Sequence, residues 1–556
     1  MDIISVNKGE SNGDVHSREA APQPEITDAR LIKVTVSRFW LLSIGVYLGL
    51  FLSMMDASIV STALHSISLE FNVLVSVNWV ALAYTLAECS CGVIFARVSD
   101  VIGRKSAFLA ANVMFFGFSM GCAFSRSLGQ LVAFRALQGV GGAGLYSLSL
   151  VILPEVCPEH LTEIGAGLCG GIVVVAFTVG PILGGILTQY CSWRWIFWIN
   201  GPICAVSTAM LLLFWPKAED TISPSRRRWQ SFDLFGSILV ISSCVLIVFA
   251  FQNVGVSLRS IWADAVFVAP VAIGLVSMIC LFSWTYLVEF GALSHHKIIA
   301  AFPVSLFKSR SYTSGVITTL LLGFPVLLTL FSVPLRAQIV SEKDPLTASL
   351  ALLPMLGASA VGCVLAVLFN FRKAFPCESM TAGAILSVVG CALLTTVHSS
   401  DDDTKLLAYL AVLGLGTGLA VTVATLQTAL VIPPRNHAPA QGIVSQARVL
   451  GGSFGIAMSS VLLHNEITRV ISGSLTPELG SMLGEVEAKL PPELRVMIKQ
   501  SCARTFRQGM LVAAIISGVA VLTAATGYSN FHPNPRQYRI EMVRADAFER
   551  QNGIQE

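Results

Sequence analysis

Long apolar runs recur along the whole chain and constrain its fold more than any other feature. Of the 556 residues, 54% are hydrophobic and only 12% are charged, whereas soluble domains average about 25% charged residues. An apolar run of about 20 residues forms a helix that can cross a hydrocarbon core about 30 Å thick. Such runs recur about fourteen times. The sequence therefore predicts an all-α polytopic membrane protein.

The order of apolar and hydrophilic segments predicts two six-helix bundles joined by a linker that adds two transmembrane helices. The predicted segments are a disordered cytoplasmic tail (1–38), the first bundle (39–215), the basic linker with its two helices (216–311), the second bundle (312–527) with a long extracellular loop (463–505), and a cytoplasmic tail (528–556). Glycine-rich stretches recur at matching places in both bundles, which is typical of transporters with two rocking halves.

Lysine and arginine cluster in alternate loops, and cytoplasmic loops are the ones that retain these residues. This pattern predicts that both termini are cytoplasmic. The net charge of +3 is explained by this topology, and no basic patch indicates nucleic acid. The 13 cysteines lack the spacing of a metal site, so we expect no metal. No catalytic or phosphate-binding motif occurs, which argues against an enzyme and against ATP-driven pumping.

Ionisable side chains deep inside predicted spans are costly and are functional candidates by default. Asp56 and Glu88 are the carboxylates that lie away from span ends, and Arg135 reaches a depth similar to that of Asp56. The acids could bind and release protons, with Arg135 stabilising the charged form. The alternative is a static buried ion pair. Glu88 could instead attract cationic or donor-rich cargo.

The second bundle has its own intramembrane arginine, Arg448, with no acid in the same bundle. It could face a central cavity, or it could be a structural residue whose charge reaches the membrane edge. Gln138 and Gln446 could offer neutral hydrogen bonds to cargo, or they could tie helices together. Gln138, Gln446 and Arg448 are therefore the candidates for residues that line the cargo cavity.

Two further segments suit a conformational change. Gly180, Pro181, Gly184 and Gly185 let one apolar helix bend and approach its neighbours closely, as a moving gate requires. In the loop between the second and third spans, Asp100 can accept hydrogen bonds at the start of a helix. With Gly103, Arg104 and Lys105 it could latch one conformation of the bundles. Alternatively, the two basic residues only fix topology.

Four stretches make the chain resemble the fourteen-helix drug:proton antiporter group of the major facilitator superfamily, of the fungal toxin and multidrug efflux type. They are MDASIVSTAL (Met55–Leu64), ARVSDVIGRK (Ala96–Lys105), RALQGVGGAG (Arg135–Gly144) and AFTVGPILGG (Ala176–Gly185). The resemblance implies the major facilitator fold, a role for Arg135 in proton coupling, and a fifth-helix antiporter motif that importers generally lack. Ala96 departs from the glycine that usually begins the loop motif.

Together these observations predict a secondary transporter that exports hydrophobic or amphipathic small molecules, such as a drug, toxin or secondary metabolite, in exchange for protons. We expect a monomer in the plasma membrane that has no cofactor and uses the proton gradient as its energy source. Its partners are then the organic cargo, protons and the lipid bilayer. The alternatives are a proton-coupled importer of a small organic compound, such as an iron chelate, and a non-transporting membrane sensor.

Overall fold

The computed structural model describes residues 36–73, 76–156, 162–215, 233–256, 264–290, 300, 302–370, 373, 375–397, 403–432, 437–474 and 492–528. Within these ranges the chain forms α-helices and short 3-10 turns, and no strand. The helices, in chain order, are α1 (Val36–Phe71), α2 (Trp79–Ile102), α3 (Arg104–Ala123), α4 (Leu128–Val156), α5 (Thr162–Tyr190), α6 (Trp195–Trp198), α7 (Asn200–Phe214), α8 (Leu234–Val256), α9 (Ala265–Phe290), α10 (Arg310–Ile339), α11 (Pro345–Leu350), α12 (Leu353–Asn370), α13 (Pro376–Leu394), α14 (Asp403–Val431), α15 (His437–Ser474) and α16 (Pro492–Thr526).

The all-helical membrane fold predicted from the sequence is confirmed. Twelve segments of the described chain are long and apolar enough to cross a membrane, and two of them, Trp195–Phe214 and Pro345–Asn370, each combine two of the helices named above. Helices α2 and α15 are not among the twelve, so the count of about fourteen spans stays a prediction. The chain is a multi-pass membrane protein.

Some of the predicted segments lie outside the described residues. Among them are nearly all of both tails and the basic stretch from Lys217 to Arg228. The segment 463–505, which the sequence predicts as a loop, is helical at both of its ends. Helix α15 continues to Ser474 and α16 already begins at Pro492. Both extensions are rich in polar residues, so a search for apolar runs ends the helices too early.

The helices form two groups with matching packing, which we name the first half (α1–α7) and the second half (α10–α16). In the first half α4 packs between α2 and α3, and α1 packs on α5; in the second half α14 packs between α12 and α13, and α10 packs on α15. Glycines allow the close approach: a Cβ at Gly141 would lie 2.6 Å from the Phe115 nitrogen, and one at Gly416 would lie 2.6 Å from the Gly383 oxygen. The packing therefore agrees with the internal repeat that the glycine-rich stretches predict.

Helices α8 and α9 pack against each other, and α8 lies along the junction of the halves, where it contacts both α2 and α15. The Gln252 amide donates a hydrogen bond of 3.1 Å to the Ser460 hydroxyl of α15. On the other side, the rings of Trp79 and Phe249 are 5.5 Å apart. The inserted pair of helices thus contacts both halves.

The two ends of the junction differ. At the end where α1 leads into α2, called the α1–α2 end, α5 packs against α11. There Gln338 donates to the Thr62 carbonyl at 3.2 Å, and the Leu346 N–H donates to the Gln189 side chain at 3.2 Å. At the opposite end, where α2 leads into α3 and which we call the α2–α3 end, a cavity separates the halves. The halves therefore contact each other at one end and enclose space toward the other.

Candidate functional site

A buried polar cluster joins α1, α4 and α7 in the middle of the first half. Asp56 and Arg135 are both completely buried, and Arg135 Nη1 forms an ion pair with Asp56 Oδ2. The Asn200 amide donates to Asp56 Oδ1 at 2.9 Å, and the Gln138 amide donates to the same oxygen at 3.1 Å. The carboxylate is therefore held by donors on two other helices, as a buried charge requires. These four residues are the polar cluster.

The arginine of the polar cluster is satisfied on its other sides as well. Its Nε donates to the Val80 carbonyl at 3.1 Å, and its Nη1 donates to Gln138 Oε1 at 2.8 Å. The guanidinium carbon lies 4.3 Å from the centre of the Tyr84 ring, a cation–π geometry. If Asp56 took up a proton, Arg135 would lose its counterion, so protonation would favour a different arrangement of α1 and α4.

Glu88 lies apart from the polar cluster, on the wall of the cavity. Its exposed fraction is 6%. The Ser53 hydroxyl shares its one proton between the Gly142 carbonyl at 2.9 Å and Glu88 Oε1 at 3.2 Å. The Tyr84 hydroxyl donates to the Ser53 carbonyl at 2.9 Å, while the Tyr84 ring contacts Arg135. Tyr84 and Ser53 thus form a chain of contacts between Glu88 and the polar cluster.

The central cavity lies between α1, α2, α4 and α5 of the first half and α10 and α15 of the second. Its empty volume is about 1170 Å³, open space at its mouth included, and Glu88, Gln446 and Arg448 line it. Arg448 Nη2 donates to the Tyr146 hydroxyl of α4 at 3.3 Å. Among the described lining residues, neither Asp56 nor Gln138 occurs. The structure thus places Gln138 in the polar cluster, whereas Gln446 and Arg448 face the cavity.

The predicted latch lies at the α2–α3 end. Gly103 connects the two helices with φ of 95° and ψ of 148°, a conformation that favours glycine. The Arg104 guanidinium donates to the Ala96 carbonyl at 3.4 Å and to the Ser99 hydroxyl. Lys105 lies in the first turn of α3, partly exposed. The side chain of Asp100 lies outside the described part of the chain, so its predicted role stays a prediction.

The predicted antiporter motif lies at two packing surfaces of α5, with Pro181 inside the helix. Gly180 and Gly184 face α1: a Cβ at Gly180 would lie 3.0 Å from the Met55 carbonyl oxygen, next to Asp56. Gly185 faces α11, where a Cβ would lie 2.9 Å from the Leu346 Cα. Since α11 belongs to the second half, the motif contacts both the helix that carries Asp56 and the opposite half.

Sequence reasoning missed several side chains that complete the site, among them Ser53, Tyr84 and Asn200. A signal existed for Tyr84, which precedes Glu88 by one helical turn and therefore lies on the same face of α2. Asn200 is a polar residue within an apolar span, a feature that marks candidates in membrane helices. Ser53 resembles the many other hydroxyl residues of the spans, so nothing in the sequence singles it out.

Known proteins support a transport function for this arrangement. The sequence profile of the Major Facilitator Superfamily matches residues 46–456. The MFS-type transporter FPY5 of Fusarium mangiferae is 30% identical over 454 residues, which cover 79% of this chain and 75% of that protein. The efflux pump FUS6 of Gibberella moniliformis is 27% identical over 451 residues, which cover 81% of this chain and 77% of that protein.

Solved structures show the same fold. A bacterial homolog of the human lysosomal transporter Spinster has a TM-score of 0.59 at 13% identity, with 90% of this chain and 100% of that chain covered. A D-xylose–proton symporter has a TM-score of 0.55 at 13% identity, with 86% and 97% covered. The chain is a membrane transporter and not an enzyme. It belongs to the Major Facilitator Superfamily.

Proposed function

We propose that this protein exports hydrophobic or amphipathic small molecules in exchange for protons by alternating access. A relative named as an efflux pump covers most of the chain, which supports the direction of transport. The central cavity lies between the halves and has a largely apolar wall, with Met54, Phe177, Val326 and Leu327 among its residues. Such a wall suits a drug, toxin or secondary metabolite better than a sugar or phosphate.

The observation that carries the proposal is the position of the Asp56–Arg135 ion pair beside the glycines of α5. Asp56 follows Met55, whose carbonyl oxygen packs on Gly180, and Gly185 on the same helix packs on α11. A proton on Asp56 removes the attraction between α1 and α4. In the proposed cycle this change displaces α5 from α11 and separates the halves at the α1–α2 end.

Glu88 is the second proton-binding residue of the proposed cycle. It lines the cavity and contacts Ser53, whose backbone carbonyl accepts the hydrogen bond from Tyr84. A proton on Glu88 would therefore change the cavity wall and, through Tyr84, the surroundings of Arg135. Two acids connected in this way could couple cargo release to proton entry, each carboxylate taking up its proton from outside and losing it inside.

We propose that the α2–α3 end faces the cytosol and that the protein resides in the plasma membrane as a monomer, with both termini cytoplasmic. The excess of lysine and arginine in the loops on that side supports this orientation. The conformation described here, closed at the α1–α2 end, would then receive cargo from the cytosol. Proton binding would open the α1–α2 end and release the cargo outside.

The test is accumulation of toxic compounds in an efflux-deficient yeast strain that expresses the full chain. A panel of hydrophobic acids, amines and neutral compounds is added, and cell content is measured with and without a protonophore. We expect lower content of some compounds, loss of this effect with the protonophore, and loss of it with Asp56→Asn. Asp264→Asn is the matched control, because Asp264 lies exposed before α9.

Three results would contradict the proposal. Higher content in expressing cells would indicate an importer, and no flux of any compound would favour a sensor. Export that persists both with the protonophore and in the Asp56→Asn variant would exclude proton exchange through this residue. Comparable expression of both variants at the cell surface is required for each comparison.

A further inference from the structure

We propose that the central cavity selects amphipathic organic acids, with the carboxylate bound by Arg448 and Gln446 and a hydroxyl or amide donor of the cargo bound by Glu88. The inference rests on the proposed export function and specifies its cargo class. The protein satisfies the polar groups of the cavity wall unequally.

Arg448 brings a positive charge to the cavity wall, and among the described residues no carboxylate forms an ion pair with it. Its hydrogen-bond acceptor is the neutral Tyr146 hydroxyl, at 3.3 Å, and no ion pair between Arg448 and Glu88 occurs in the described part of the chain. A guanidinium has five N–H donors in a planar fork that matches a carboxylate. A cation on a largely apolar cavity wall attracts a ligand of opposite charge. An anionic group of the cargo would supply an ion-pair partner.

Gln446 offers a second donor on the same wall. Its Nε2 is buried, and within the described residues it has no hydrogen-bond partner. The atom lies beside Gly92 of α2, where a Cβ would be 3.5 Å away. An amide nitrogen can only donate, and a buried donor left unpaired costs free energy. An oxygen of the cargo would remove that cost, which favours a carboxylate over an ammonium group at this position.

Positive side chains also line the cavity toward the α2–α3 end. Arg97 and Arg104 also line the cavity, and they are anchored by donating to the carbonyls of Ala300 and Ala96. Three arginines therefore border the cavity, against one acidic residue, Glu88, among its described lining side chains. A channel lined mainly by one sign of charge attracts ligands of the opposite sign.

Glu88 defines the other end of the proposed cargo. When ionised it can only accept hydrogen bonds, and Ser53 supplies one of them. It would repel a second carboxylate but accept a bond from a hydroxyl or amide. Its protonation would remove part of the acceptor capacity that the cargo donor uses. The predicted cargo is thus an acid at one end, a donor at the other, and apolar between.

The test is equilibrium dialysis of the purified full chain in detergent with three probes that share one apolar body. These are 1-pyrenebutanoic acid, its primary amide, and 4-(1-pyrenyl)butylamine. We expect the acid to bind most tightly and the amine most weakly. Arg448→Gln should weaken binding of the acid about tenfold or more, because a charge-assisted contact is lost, and should leave the amide nearly unchanged.

Three further variants keep the test decisive. Arg448→Lys retains the charge without the planar fork, so acid binding should fall less than with Arg448→Gln. Gln446→Leu should weaken acid binding about threefold to tenfold through loss of a neutral donor. Arg126→Gln removes one positive charge from an exposed position near the end of α3 and should change nothing. All variants are compared after size-exclusion chromatography.

Two outcomes would overturn the cargo class: equal binding of acid and amide by the wild type, or tightest binding of the amine. Unchanged acid binding in a folded Arg448→Gln or Gln446→Leu variant would do the same. These failures are separable from failure of export, since the cell assay could still show proton-dependent efflux. Conversely, the acid could bind in an Arg448-dependent way to a protein that transports no compound. That result would support the binding site and contradict the proposed transport cycle.

Discussion

The two halves of the transporter share their helix packing but connect equivalent helices with different chemistry. In the first half, α1 and α4 are joined by the buried Asp56–Arg135 ion pair. In the second half, Gln427 of α14 donates neutral hydrogen bonds to α10, to the Ser311 carbonyl at 2.8 Å and to the Ser311 hydroxyl at 2.7 Å. The ion pair between these two helices, Arg336–Asp403 at 3.6 Å, has one partly exposed partner, because the Asp403 side chain is 25% exposed. Since a fully buried ion pair seldom stabilises a protein more than neutral groups do, the complete burial of the pair in the first half indicates function.

The largest effect should come from removing one partner of that ion pair. Arg135→Leu leaves the Asp56 carboxylate buried and unpaired, which should reduce the free energy of unfolding by about 3–5 kcal/mol. The matched change in the second half, Gln427→Leu, removes only neutral hydrogen bonds and should cost about 1–3 kcal/mol. Denaturant or thermal unfolding in detergent micelles measures both.

A double variant separates the charge from the packing. Asp56→Asn combined with Arg135→Leu removes both charges, so stability should recover relative to Arg135→Leu alone. If Arg135→Leu and Gln427→Leu cost the same, or if the double variant is as unstable as the single one, the fully buried charge is not what distinguishes the first half.

A smaller effect is expected where glycines of the two halves contact different partners. Gly185 of α5 packs on Leu346 of the opposite half, whereas Gly452 of α15 packs on Leu327 of its own half. Overpacking costs about 1–3 kcal/mol at either place. Gly185→Val should therefore shift the protein away from the conformation closed at the α1–α2 end, while Gly452→Val should destabilise the second half without opening that end.

The distance across the α1–α2 end measures this shift. Spin labels at Gln189→Cys and Asp344→Cys, in a background without other cysteines, report the separation of α5 and the start of α11. We expect Gly185→Val to lengthen the mean distance and Gly452→Val to leave it unchanged. Equal distances in both variants would show that α5 does not control this closure.

Part of the difference between the two halves could be predicted from the sequence. Apolar runs, matching glycine stretches and the similar depth of Asp56 and Arg135 predicted the fold and brought these two residues together. Gln138 follows Arg135 by three residues, so it faces the same neighbours on α4, and helical geometry alone could have placed it in the polar cluster. Asn200 and Ser53 could not be assigned, because their roles depend on which helices meet.

Arg448 illustrates the same limit in the second half. The sequence left open whether this arginine faces a cavity or extends to the membrane edge, since both fit an arginine in mid-span. Its contact with Tyr146, 302 residues away in sequence, decides for the cavity. A contact of that kind depends on how the halves dock, and a single sequence records nothing about docking.

The smallest effect should come from an ion pair of the second half that lies at the surface. Lys499 of α16 pairs with Glu342, with side-chain exposures of 28% and 64%, whereas the Asp56–Arg135 pair is buried. Water and salt screen an exposed pair, so Glu342→Gln should change the free energy of unfolding by less than about 1 kcal/mol, and the change should shrink at high salt. Glutamine is the suitable replacement because Glu342 has φ of 49°, and glycine there would also relieve backbone strain. Thermal unfolding at low and high salt measures the difference. If Glu342→Gln reduced the free energy of unfolding as much as Arg135→Leu does, burial would not determine how strongly these ion pairs affect stability.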